Sequence, residues 1–293
     1  MDSGRFLYPR MLLGIVAASF GAIFVRFASD ASPLAISAWR LSIAAVVLIP
    51  IAWVRKPHSL NLKMILWCVA SGAALALHFV LWTSSLVYTS VASSVLFVTT
   101  HPLFVGLGSF VLLKESPTRR LLLGVAVALV GGLLIGVGDL RLAGQALRGD
   151  LLAVAGGLMV AIYFMIGRVV RQTVSATEYV AVTYGVAAFL VLAICAITRT
   201  PVLGFSGPTF GYLVLLALIP QLLGHSTFNW ALKHLPATHV SILILGEPVG
   251  SGLLAVLLFG EIPSGLNLAG AALILAGIYL SVSNKERSHV HSS

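Results

Sequence analysis

Apolar residues run for about 20 positions at a time with almost no charge between them, and short connectors separate the runs. Ten such runs are read, at about 10–29, 33–54, 64–87, 90–113, 120–138, 151–170, 177–198, 210–232, 237–259 and 264–282. Each is long enough to cross a hydrocarbon core as a helix. Strands of a membrane barrel need only half that length and alternate apolar with polar positions, a pattern missing here. A helix satisfies its own backbone groups in lipid. The pattern therefore predicts an all-α integral membrane protein of ten transmembrane helices.

Composition agrees: 59% of the 293 residues are hydrophobic and 9% are charged, against about a quarter charged in soluble domains. Too little charge is present to coat a water-soluble globule. The formal net charge of +9 raises the question of a polyanion partner. Its placement answers it. With both termini on the cytoplasmic side, the inner segments hold 13 of the 18 Lys and Arg, from Arg5, Arg10 and Arg55 to Lys285 and Arg287. Only Arg26, Arg141, Arg148 and Arg199 fall at the outer ends. That bias sets orientation in the inner membrane and faces anionic lipid; no nucleic-acid partner is expected. Cys68 and Cys195 fall in opposite leaflets and are read as small apolar residues.

The chain resembles itself at an offset of 146. Pro102 matches Pro248, Glu115 matches Glu261, Pro117 matches Pro263, Gly124 matches Gly270 and Gly131 matches Gly277. Two units follow, 1–143 and 144–293, each of five spans. Five is odd, so the second unit enters the membrane from the opposite side. Inverted repeats of this kind build many secondary transporters, with the solute site near the midplane.

The paired segments HPLFVGLGSFVLLKES (101–116) and GEPVGSGLLAVLLFGEIP (246–263), each followed by a Gly-rich helix, resemble the EamA family of the drug/metabolite transporter superfamily. The resemblance implies two EamA repeats and export of a small metabolite such as an amino acid by alternating access. A multidrug-type facilitator or a channel-like permease is the alternative. The second copy carries Glu247 before its proline where the first carries His101, so the two halves differ in any handling of a cation or proton.

Polar groups at membrane depth are costly and mark pathways or tie helices together. Gln221, His225 and Asn229 are spaced four apart, on one helical face. His78 and Trp82 share a face of span three with Ser71 and Ser85; Ser94 and His101 lie on span four, Tyr163 on span six. Glu247 and His101 sit about 15 Å into their helices, from the rise per residue, and each precedes a proline. Glu247, His101, His78, Trp82, Tyr163, Gln221, His225, Asn229 and Ser94 are the candidate solute-binding residues. Arg26 is expected to pair with Asp30, and Arg40 to reach out to an interface. Gly124, Ala128, Gly132 and Gly136 on span five, with Ala269, Ala272 and Ala276 on span ten, form small-residue stripes. They suit packing between the halves or a homodimer through spans five and ten. No phosphate loop, metal-ligand spacing or nucleophile elbow occurs, so no cofactor, metal or enzymatic activity is expected. The partners are a small solute, the bilayer and, through Glu247, a proton.

Overall fold

The structure, a computed structural model, describes residues 6–55, 61–112, 118–140 and 145–282. All regular structure among them is helical. The helices are α1 (Leu7–Ser19), α2 (Gly21–Phe27), α3 (Pro33–Val54), α4 (Leu62–Ser85), α5 (Val91–Val98), α6 (His101–Leu112) and α7 (Arg119–Leu140). They continue with α8 (Ala146–Val170), α9 (Ala176–Ile197), α10 (Gly207–Leu216), a π-helical stretch (Ala217–His225) and α11 (Ser226–Ala231). After α12 (Ala237–Leu243) and a 3₁₀ turn (Ile244–Gly246) come α13 (Glu247–Phe259) and α14 (Gly265–Val282).

Eight runs among the described residues are long and apolar enough to cross a membrane, and Leu122–Leu134 and Gly265–Gly277 are shorter apolar helices within α7 and α14. The eight fall where spans one to four and six to nine are predicted. Glu115, Pro117, Lys114, Arg5, Arg141, Lys285, Arg287 and the boundary at 143–144 lie outside the described residues.

Local chemistry sets the helix ends. Ser32, Asn61, Ser90, Ser175 and Ser206 each accept a backbone N–H of the first turn of the helix that follows, satisfying a donor that has no intrahelical partner. Gly260 ends α13 at φ 66°, where a side chain would be strained.

Four spans are irregular inside the apolar layer: the first turns at Phe20 between α1 and α2, and the other three break beside a proline. Between α5 and α6, the Thr99 hydroxyl donates to the carbonyls of Val95 and Leu96, both at 2.8 Å, and Thr100 donates to Phe97 O at 2.7 Å. Val95 O and Phe97 O also accept the backbone N–H groups of Thr99 and Thr100, each at 3.1 Å, and Pro102 has no N–H to offer Val98 O. Between α12 and α13 the chain tightens into the 3₁₀ turn before Pro248. Around Pro220 it widens into π winding, a common answer to a missing donor. The Gln221–His225–Asn229 spacing therefore starts on a wider coil than the regular helix predicted.

α7 packs along α14. A Cβ on Gly131 would collide with the carbonyl of Gly270, and one on Gly277 with that of Gly124. These small residues let two backbones approach within one chain, the first of the two arrangements their pattern allowed.

Candidate functional site

Elements from both ends of the sequence converge on a small cavity. Its polar lining is Arg40 of α3, His78 and Trp82 of α4, Thr99, His101 at the start of α6, His225 and Glu247 at the start of α13. Its apolar wall includes Ala18, Gly21, Phe79, Val160, Phe164 and Phe228. The volume is about 30 Å³, enough for about two waters.

Arg40 dominates it. The residue is 1% exposed and points inward, which corrects the expectation that it reaches for an interface. Its Nε donates to Gln221 Oε1 at 2.6 Å. The guanidinium lies 3.9 Å from the ring centroid of Phe79 and 5.7 Å from that of Trp82, both within cation–π range. Glu247 faces the same cavity, half-buried. No ion pair within 4.0 Å joins Arg40 and Glu247 among the described residues, so the two share the space without touching.

His78 donates through Nδ1 to Gly156 O, 2.9 Å away, and its ring lies parallel to Trp82 with centroids 6.4 Å apart. His101 meets Phe164 edge to face at 5.6 Å. Arg40 Nη1, Trp82 Nε1, Gln221 Nε2, His101 Nδ1 and His225 Nδ1 are buried with no hydrogen-bond partner among the described residues. Buried polar groups are normally paired, so this many at one cavity is unusual.

The other predicted residues lie outside this lining. Tyr163 OH accepts from Asn229 Nδ2 at 2.5 Å, and Asn229 also donates to His225 O at 2.7 Å. Ser94 pairs with Ser85 at 2.6 Å, and Ser71 with Tyr179 at 2.5 Å. These are ties between or along helices. Gln221 contacts the site through Arg40. Phe79, Phe164 and Thr99 were not singled out in the sequence, since aromatic and hydroxyl side chains in apolar helices carry no distinguishing signal.

At one end of the molecule Arg26 Nη2 donates to Thr89 O at 2.7 Å and lies 3.8 Å from Glu261, whose other oxygen accepts from Val91 N at 3.0 Å. This corrects the expected Arg26–Asp30 pair. Asp30 instead receives Ser206 N at 2.8 Å and the Thr209 hydroxyl, which hold its carboxyl below the usual carboxylate range. The Arg26–Glu261 bridge edges a surface depression of about 680 Å³. Among the described residues, no cluster of His, Cys, Asp and Glu could hold a metal ion.

Comparison with known proteins accords with this architecture. The model of the EamA-like transporter family matches residues 8–137 and again 147–283. The uncharacterized transporter YyaM of Bacillus subtilis (strain 168) is 24% identical over 84% of this chain and 83% of its own. YwfM of the same organism, also an uncharacterized transporter, is 25% identical over 91% of each chain. A protein of known crystal structure is 22% identical, with a TM-score of 0.73 over 97% of this chain and 100% of that one, a likeness of fold. With nearly all of its length matched in two consecutive copies, this multi-pass membrane protein belongs to the EamA-like transporter family.

Proposed function

We propose that the protein is a secondary transporter, not an enzyme, that exports a small metabolite such as an amino acid across the inner membrane. Two inverted five-helix repeats, 1–143 and 144–293, rock about the central cavity and open it to one side at a time. The observation that carries this reading is the cavity itself. It is lined by a guanidinium and a carboxyl group that do not touch, and is bounded by two helices that restart inside the apolar layer. Interrupted helices at the bundle centre are where transporters bind solutes and coupling ions.

The pairing of contacts supports the repeat. α1 packs on α13 as α8 packs on α6, and α1 packs on the π stretch as α8 packs on α4. α3 with α9, and α7 with α14, pair one half directly with the other. Charge supports cytoplasmic termini. Arg10 lies over Trp230 and Arg168 bonds the carbonyl of Leu232. Both belong to the predicted inner segments, which also hold Arg55, Lys63, Arg119, Arg120, Arg171 and Lys233.

A volume near 30 Å³ is smaller than any amino acid, so the walls separate when solute enters. Glu247, at the start of α13, takes either a proton or the solute's ammonium group. Proteoliposomes loaded with a mixture of labelled amino acids test the reading. Accumulation against a gradient, driven by a pH difference or membrane potential, is expected. Flux that only ever runs downhill would replace it with a facilitator or channel-like permease.

A further inference from the structure

We infer that the solute is held as a zwitterion, its oxyanion on Arg40 and its ammonium on Glu247, which makes Arg40 a specificity-determining residue. This rests on the cavity being the solute site.

A guanidinium buried to 1% exposure is costly without a counter-charge. The carboxylate that shares its cavity lies beyond ion-pair distance. Donors around the guanidinium are also left without partners. Arg40 spends Nε on Gln221 Oε1, which leaves Nη1 unpaired; Trp82 Nε1 and Gln221 Nε2 are unpaired as well. Three unpaired donors around one cation match the two oxygens of a carboxylate, which accept up to four hydrogen bonds. Phe79 packs against the guanidinium, whose planar fork suits a planar oxyanion.

Charge balance decides between solute classes. An amine without an acid group would leave Arg40 bare, and an acid without an amine would leave Glu247 bare. A solute carrying both charges satisfies both ends. His78, His101 and His225 border the space between Arg40 and Glu247.

The test is ligand dissection on the unaltered chain. Purified protein in lipid nanodiscs is screened by thermal shift against the 20 protein amino acids, and each hit is compared with its carboxamide and its decarboxylated amine. Hits are expected among the acids, with both analogues weaker by on the order of 100-fold or more, because they leave buried donors unmatched. Arg40→Gln should abolish this discrimination. Arg40→Lys, which keeps the charge and loses the fork, should keep part of it and serves as the second variant should Arg40→Gln fail to fold.

Amines or amides that bind as well as their acids overturn the inference, and so does the absence of any amino-acid hit. Proteoliposomes filled with deproteinised cell extract then separate the two levels. Export of any extract solute, lost in Glu247→Gln, leaves the transporter reading standing and the zwitterion assignment refuted. Export of none removes both.

Discussion

Two apolar spans are interrupted at matching places, before Pro102 and before Pro248, and carry different chemistry there. At the first break Thr99 and Thr100 cap the end of α5 with their own hydroxyls, and His101 packs against Phe164 at 3% exposure. At the second the chain tightens into a 3₁₀ turn and Glu247 opens α13, facing the cavity half-buried. A carboxylate at a helix N-terminus is favoured by the helix dipole; a neutral imidazole gains little from it. The same geometry is thus a wall in one half and a charge in the other. A duplicated scaffold need not use both copies of its site alike.

The sharpest way to break that contrast is to neutralise each residue in turn. Glu247→Gln should lower solute export by on the order of 100-fold, the scale of losing one member of a buried charge pair. His101→Gln should change it by no more than about threefold, the worth of a helix tie in a membrane. Initial export rates from proteoliposomes decide. Equal losses in the two variants would mean that the two breaks act as equivalent sites.

The second break is bolted to α1. Ser251 Oγ donates to Ser19 O at 3.0 Å, Ser19 Oγ donates to Ile15 O at 2.9 Å, and a Cβ on Gly250 would strike the Ser19 side chain. Gly250→Ala should therefore destabilise by about 1–3 kcal/mol, as overpacking does. Gly252→Ala, two residues on with nothing within 4 Å, should be neutral or gain up to about 1 kcal/mol. Thermal unfolding in one detergent reads both. If the two variants melt alike, the tight contact of α13 with α1 is wrong.

At the first break Thr99→Val keeps shape and removes the hydroxyl that serves Val95 and Leu96. It should cost about 1 kcal/mol, one net hydrogen bond. No hydroxyl is bonded to the 3₁₀ turn in a comparable way among the described residues. A Thr99→Val variant that melts at the wild-type temperature would show that the first break does not depend on its hydroxyls.

Much of this was legible in the sequence for one physical reason. Lipid imposes a length on apolar runs and a cost on polar groups within them, so the spans and the depth of Glu247, His101, His78 and His225 could be read directly. Direction could not. An arginine eight residues into a 22-residue helix can reach for an interface or turn inward, and the faces of Phe79 and Trp82, on another helix, decide for Arg40. Partner choice was equally hidden. Asp30 lies four residues from Arg26, yet Glu261 from the far half of the chain is the partner, because helix packing brings the two ends together. Tyr163 and Ser94 carry the same composition signal as cavity residues and turn out to tie helices.

The smallest expected effect concerns how the halves enter their second helices. Glu178 closes a capping box on its own helix, receiving Ser175 N at 3.0 Å, whereas Asp30, before α3, reaches across to the start of α10. There the Thr209 hydroxyl first, and the Ser206 N–H next, hold the Asp30 carboxyl below its ordinary value of 3.8. A carboxyl whose folded value is depressed contributes stability that is fully present above its unfolded value and is lost as pH falls through the folded one. Thr209→Val removes the larger cause and leaves Ser206. The gap in melting temperature between wild type and Thr209→Val should therefore stay constant from pH 7 to about 5 and close below about 4. A gap that persists unchanged to pH 3 would mean that Thr209 acts by packing alone, and that Asp30 is not an electrostatic fastening for α10.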